Sequence, residues 1–168
     1  MGNGERLLSF PMEERAEGIT SGPGSSLFVS QIVSGRVLEL DILTGNAIEV
    51  VGEQPEGQQA WGLEYFVMDG AGYLVVAGGG PSYGTGFPEA YLYDVNTGES
   101  LVACQPLSVN ETGLGAFIND VTIVDDVAYL TNSFSNQLMV MSLPEARNGF
   151  CEISKIPLPS LFVPSSTD

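Results

Sequence analysis

The amino-acid sequence predicts an all-β chain built from repeated four-stranded units. Short runs such as residues 27–30, 36–40 and 90–93 alternate apolar and polar side chains, and many of them are β-branched or aromatic. Such runs, ending at Gly, Pro, Asn or Asp, are typical of strands joined by turns. With 21 Gly and 10 Pro in 168 residues, the chain is rich in turn formers. No window of 12 or more residues shows a clear helical stripe, which excludes a helical bundle.

Similar segments recur along the chain. Residues 38–46 match residues 91–99 at an offset of 53, sharing Asp-x-x-Thr-Gly, and residues 16–19 match residues 60–63 at an offset of 44. We place the nine-residue difference in the glycine-rich stretch 78–87. Internal repeats of this length indicate a repeated supersecondary unit.

A third copy is recognisable in four further segments. They are residues 117–121, 127–131, 137–141 and 151–156. Each unit then holds four strands over roughly 44–58 residues, the period and strand count of a β-propeller blade. The predicted blades are residues 16–53, 60–107 and 117–158, followed by a tail, 159–168.

The shared Asp-x-x-Thr-Gly segment predicts a turn between the third and fourth strands. Asp41 and Asp94 can accept hydrogen bonds from the backbone two residues on, while Gly45 and Gly98 supply a positive φ. The ligand spacing and final Glu of an EF-hand are missing, which excludes a calcium loop of that type.

The charge balance excludes several partners. The chain has 21 Asp+Glu against 5 Lys+Arg, a net charge of −16. So few cations cannot neutralise a track of phosphates, which argues against nucleic acid and anionic membranes. We find no signal-peptide core and no apolar run near the ~18 residues of a membrane span. The sequence leaves the localisation open.

The sequence contains no histidine. A Ser-His-Asp or Cys-His relay and an imidazole zinc site are therefore excluded. With Cys104 and Cys151 as the two cysteines, a four-thiolate site is excluded as well, and whether they pair is left open. The ligand chemistry that remains is oxygen, which suits hard cations such as calcium.

Four segments resemble one propeller family. Residues 16–19, 60–63, 74–79 and 117–121, the last followed by residues 128–133, look like the six-bladed propellers of the senescence-marker-protein/gluconolactonase group, within its NHL-like branch. The resemblance covers about three blades, and so implies the N-terminal half of a ring. It also implies bound calcium, with a Glu at the start of the first blade and Asn or Asp in later blades. Glu17 and Asn119 match those positions.

Propeller geometry predicts where these residues meet. The first strand of each blade starts beside the central tunnel, so Glu17, Trp61, Asn119 and Asp120 are expected to converge there. Loop 78–87, which contains Tyr83, is expected to overhang the same mouth, with Trp61 and Tyr83 as a substrate rim. Asp120 is a candidate further ligand or general base. In each case a structural interpretation stays open: turn chemistry for Asn119 and Asp120, a solvated carboxylate for Glu17, and blade packing for Trp61.

Two classes of function follow from this arrangement. If the ring is completed, the protein would be a calcium-dependent hydrolase of a small lactone or ester, with the metal polarising the substrate oxygen. The alternative is a non-catalytic propeller that acts as a binding module or scaffold. A third option is a propeller similar to strictosidine synthase. Three blades do not close a ring, so we expect either self-association or a missing C-terminal half.

Overall fold

The computed structural model describes residues 14–52, 58–79, 88–104 and 117–159. These residues form three four-stranded antiparallel sheets. The first sheet contains β1 Ala16–Ser21, β2 Ser26–Gln31, β3 Val37–Asp41 and β4 Ala47–Val51. The second contains β5 Gln59–Met68, β6 Ala71–Gly79, β7 Pro88–Asp94 and β8 Ser100–Cys104. The third contains β9 Ile118–Val124, β10 Val127–Asn132, β11 Gln137–Ser142 and β12 Ile153–Pro157.

In each sheet the order of the strands follows the chain, so each sheet is a meander. The first strands of successive sheets lie against each other, β1 against β5 and β5 against β9. The sheets therefore fan out from a shared axial edge, as propeller blades do. The predicted all-β fold of four-stranded blades is confirmed, and we call the sheets blades 1, 2 and 3 in chain order.

Two hydrophobic cores hold the blades together. The core between blades 1 and 2 contains Phe28, Val37, Leu63, Leu74 and Tyr91. The core between blades 2 and 3 contains Val75, Leu92, Ile118, Leu130 and Met139. Fully burying a side chain of this size contributes roughly 1.5–3 kcal/mol. Blade 2 is thus buried on both faces.

The predicted turns between third and fourth strands are present. The Asp41 carboxylate accepts a hydrogen bond of 2.8 Å from the Leu43 N–H, and the Asp94 carboxylate accepts one of 2.8 Å from the Asn96 N–H. The hydrogen bond from the Leu43 N–H is the largest of the interactions that lower the pKa of Asp41. The φ angles of the two turn glycines are 73° and 70°, for Gly45 and Gly98 respectively. The predicted turn mechanism is confirmed.

In the described ranges, one short helix interrupts the all-β pattern. It is α1, Leu143–Arg147, between β11 and β12, and it buries Leu143 and Ala146. The five-residue helix is too short for the helical periodicity that a sequence window detects, which is why the sequence did not predict it. The described part of the chain contains no helix long and apolar enough to cross a membrane.

Covalent and ionic links join blades 2 and 3. Cys104 and Cys151 form a disulfide, with their Cα atoms 5.3 Å apart. Cys104 ends β8, while Cys151 lies between α1 and β12, so the bond crosses from one blade to the next. Nearby, Arg147 pairs with Asp69, and its guanidinium lies 5.8 Å from the centre of the Tyr73 ring.

Candidate functional site

The first strands approach each other closely because glycine occupies the contact points. A Cβ added to Gly62 would lie 2.6 Å from the Asp120 Cα and 2.7 Å from the Asn119 carbonyl oxygen. A Cβ added to Gly18 would lie 2.7 Å from the Leu63 side chain. These distances leave no room for a side chain. The glycine shared by segments 16–19 and 60–63 therefore sets the spacing of β1, β5 and β9.

A buried serine fastens blade 1 to blade 2 beside this contact. The Gly18 N–H donates a hydrogen bond of 2.9 Å to the Ser30 hydroxyl. That hydroxyl in turn donates to the Trp61 carbonyl oxygen. Because Ser30 is fully buried, leaving either polar partner unsatisfied would cost about 1–3 kcal/mol.

The negative charge of Asp120 in blade 3 acts on one carboxylate in each of the other two blades. Partial burial, and then the negative charge of Asp120, raise the pKa of Glu17 on β1. The same two causes, in the same order, raise the pKa of Glu64 on β5, and a hydrogen bond from the Thr20 hydroxyl partly opposes them. When folding raises the pKa of a carboxyl, the folded protein becomes less stable as the pH rises from the unfolded-state pKa to the folded-state pKa of that group. A cation near these groups would offset the repulsion.

Asp120 also has a structural role in β9. Its Oδ1 accepts a hydrogen bond of 2.9 Å from the Val121 N–H, and its own N–H donates to the Thr131 hydroxyl at 3.1 Å. Asn119, immediately before it, is half-buried, while Asp120 and Glu17 are exposed. The negative charge of Asp120 nevertheless contributes to the raised pKa of Glu17.

Trp61 is buried between blades. Its side chain is 6% exposed, and its ring packs edge-on against Phe117, with the ring centres 4.8 Å apart. Most of the indole surface thus faces blade 3 rather than solvent. Tyr83, the other predicted rim residue, lies outside the described residues.

The predicted metal ligands do not form a complete site in the described chain. Within the described ranges, no three His, Cys, Asp or Glu side chains are arranged to hold a metal ion. Glu17 and Asn119 would need additional ligands to bind calcium. The carboxylates still give this edge a concentrated negative charge.

A polar groove lies at the other end of the first strands. Its volume is about 530 Å³, and the β5–β6 turn, the β9–β10 turn and α1 line it. Asp69, Asp126 and Arg147 are among its charged residues. Since Arg147 is held by Asp69 and Tyr73, we interpret the groove as a junction between blades 2 and 3.

Glu64 is the axial residue that sequence reasoning missed. It follows Trp61-Gly62-Leu63 directly, at the position that Thr20 occupies in blade 1 and Thr122 in blade 3. Extending the repeat alignment by one residue brings Glu64 into the axial segment of blade 2, and in the structure the Thr20 hydroxyl of blade 1 donates a hydrogen bond to it. The alignment alone does not show that β5 turns Glu64 toward Asp120, since that depends on how the blades pack.

Comparisons with known proteins support the fold and leave the family open. No protein-family model matches the chain, and no curated protein matches it. A solved structure of a protein of unknown function from Bacteroides caccae is similar, with a TM-score of 0.55 and 13% identity over 89% of this chain. The glutaminyl cyclase of Myxococcus xanthus is 20% identical over 82% of this chain, with a TM-score of 0.47. The WD40 repeats of RRP9 are 11% identical over 85% of this chain, with a TM-score of 0.43.

The chain spans about half the length of each of these structures, namely 49%, 51% and 54%. At such low identity, the likeness to the Bacteroides caccae protein concerns the fold alone. Together with the three meander sheets and their shared axial edge, it supports one conclusion. The chain is an arc of β-propeller blades.

Proposed function

We propose that this chain supplies part of a non-catalytic β-propeller binding module, whose acidic axial edge, with Glu17, Glu64 and Asp120, binds a hard cation together with oxygen ligands from beyond the described ranges. One observation carries the proposal: β5 and β9 meet at Gly62 and Asp120, and partial burial, followed by the negative charge of Asp120, raises the pKa of both Glu17 and Glu64. Oxygen ligands of this kind suit calcium.

The contacts of Asp120, the candidate general base, favour binding over catalysis. The Asp120 carboxylate is already bonded to the backbone of its own strand and lies close to Gly62. The chain has no histidine that could act in its place. A propeller fold does not by itself imply an enzyme, so ligand binding is the simpler use of this surface.

A calcium-dependent hydrolase of a lactone or ester is the second candidate. The sequence resemblance to gluconolactonase-like propellers favours it, as does the contribution of the Asp120 charge to the raised pKa of Glu17. Glu17 and Asn119 would then hold calcium, and Asp120 would be a further ligand or a general base. When bound, the metal would polarise a substrate oxygen. This candidate requires ligands besides those in the described ranges.

Thermal unfolding during a calcium titration tests the proposal. A cation that binds the folded chain stabilises it by RT ln(1 + [L]/Kd), about 2.7 kcal/mol at a hundred times Kd. We expect the Tm to rise at millimolar calcium, and Glu17→Gln to reduce the rise because a ligand and its charge are lost. Glu99→Gln, an exposed carboxylate in the β7–β8 turn, is the matched control and should keep the full shift.

Two results would contradict the cation site: no shift at millimolar calcium, or equal shifts in Glu17→Gln and Glu99→Gln. The hydrolase candidate makes an additional prediction. Lactone or ester hydrolysis should appear with calcium and disappear with a chelator, whereas the binding module should bind calcium without turnover.

A further inference from the structure

Blade 1 turns an apolar face away from blade 2. In the strand register Ile19 pairs with Val29 and Leu27 pairs with Leu40, so these residues share one side of the sheet. Leu38, which pairs with Val29, is on the same side. We call these five residues the open face of blade 1. None of them belongs to either core, and Ile19 is 63% exposed.

Blade 3 has an equivalent face on its far side. Tyr129 pairs with Val140, and Leu138 pairs with Ile156, all on the side opposite to blade 2. Together with Val124 they form the open face of blade 3. Both described cores exclude these residues, while Val124 and Ile156 are 55% and 44% exposed.

The charge pattern shows that both open faces are suited to burial. An antiparallel sheet with one solvated face alternates apolar and polar residues, whereas these blades carry apolar side chains on both sides, mixed on the open face of blade 3 with the uncharged Thr122, Thr131 and Ser154. Of the described strand positions on the open face of blade 3, the charged one is Asp120, near the start of β9, where it lies opposite Thr131. On that of blade 1 the charged strand residue is Glu49, in the outermost strand, and it pairs with Arg36 at 3.2 Å. In a chain with 21 acidic residues, such depletion of charge is typical of an interface core.

The two open faces correspond to the two sides of the interfaces that join the blades within the chain. In blade 2, Leu63, Val76 and Tyr91 pack toward blade 1, and they occupy the positions of Ile19, Val29 and Leu38. On its other side, Val75 and Leu92 pack toward blade 3, at the positions of Tyr129 and Val140. One chain therefore carries both halves of the interface that already joins its own blades.

We propose that the occupant of both open faces is a second copy of this chain. A two-fold rotation about the tunnel places the open face of blade 1 in one copy against the open face of blade 3 in the other, twice. The resulting ring has six blades, within the 4–8 of known propellers, and its two-fold symmetry is the commonest in oligomers. Closure would also complete the axial edge, since each copy contributes Glu17, Glu64 and Asp120. This inference rests on the propeller arrangement of the proposed function and is independent of its ligand.

Native mass spectrometry and sedimentation of the purified chain test the inference. We expect a species of twice 17.8 kDa. Ile19→Glu places a charge in the interface core and should raise the dissociation constant at least about a hundredfold. Leu43→Glu is the matched control, because Leu43 is 80% exposed in the β3–β4 turn of the same blade, away from the open face. Circular dichroism confirms that both variants are folded.

A folded, cooperative monomer at high concentration would overturn the inference and indicate that other blades cover the faces. Equal dissociation constants for Ile19→Glu and Leu43→Glu would overturn it too, as would open-ended assemblies larger than two copies. Because the assay measures mass without added calcium, a failure of the cation site leaves its result unchanged.

Discussion

Replacing both Cys104 and Cys151 with alanine is expected to lower the free energy of unfolding by about 4 kcal/mol. The bond closes a loop with a sequence separation of 47 residues, and its loss enlarges the unfolded ensemble. It also frees α1 and β12 from the edge of blade 2. For a chain of this size we expect a drop in Tm of roughly 8–16 °C, measured by thermal unfolding.

Wild-type protein treated with a thiol reductant is the matched control for this prediction. Reduced wild-type protein should unfold at the same temperature as the double variant, and the double variant should be insensitive to reductant. If intact-mass analysis finds two free thiols in the untreated protein, the bond is absent. An unchanged Tm in both comparisons would show that it contributes nothing to stability.

Gly62→Ala is expected to destabilise the chain by about 3 kcal/mol, at the upper end of the usual cost of overpacking. The new methyl group would lie 2.6 Å from the Asp120 Cα and 2.7 Å from the Asn119 carbonyl oxygen. Both are backbone atoms, so β9 must move away from β5 as a whole. Urea unfolding of the variant measures the effect.

Gly52→Ala is the control for this substitution. Its added Cβ would be 3.4 Å from the end of the Glu49 side chain, an ordinary contact with a flexible group. We expect a change within about 0.5 kcal/mol, as for most surface substitutions. Equal stabilities for the two alanine variants would show that β5 and β9 are not in close contact.

Local patterns explain how much of the fold could be predicted from the sequence. The turns at Asp41 and Asp94 depend on residues two to four positions apart, so their motif was sufficient to predict them. Period-two alternation and the repeats predicted the strands, because each blade repeats one local pattern. The helix α1 was missed since its five residues give no periodicity.

The candidate site was predictable only in part, because its contacts join different blades. The repeat alignment placed Glu17 and Asp120 on the first strands of blades 1 and 3, both beside the axis, and the charge of Asp120 contributes to the raised pKa of Glu17. Glu64 was missed because its orientation depends on how β5 packs against β9. Local sequence patterns could not predict the disulfide either, because it is the packing of blade 2 on blade 3 that brings Cys104 and Cys151 together.

The most direct test of the axial edge is the pKa of Glu17, measured by NMR titration in the wild-type chain and in Asp120→Asn. We expect a pKa above the ordinary value near 4.5, and a decrease in Asp120→Asn because the repelling charge is removed. Asp126→Asn, in the β9–β10 turn at the far end of β9, should leave it unchanged. A pKa at or below 4.5, or one that Asp120→Asn does not alter, would contradict the side-by-side packing of the first strands.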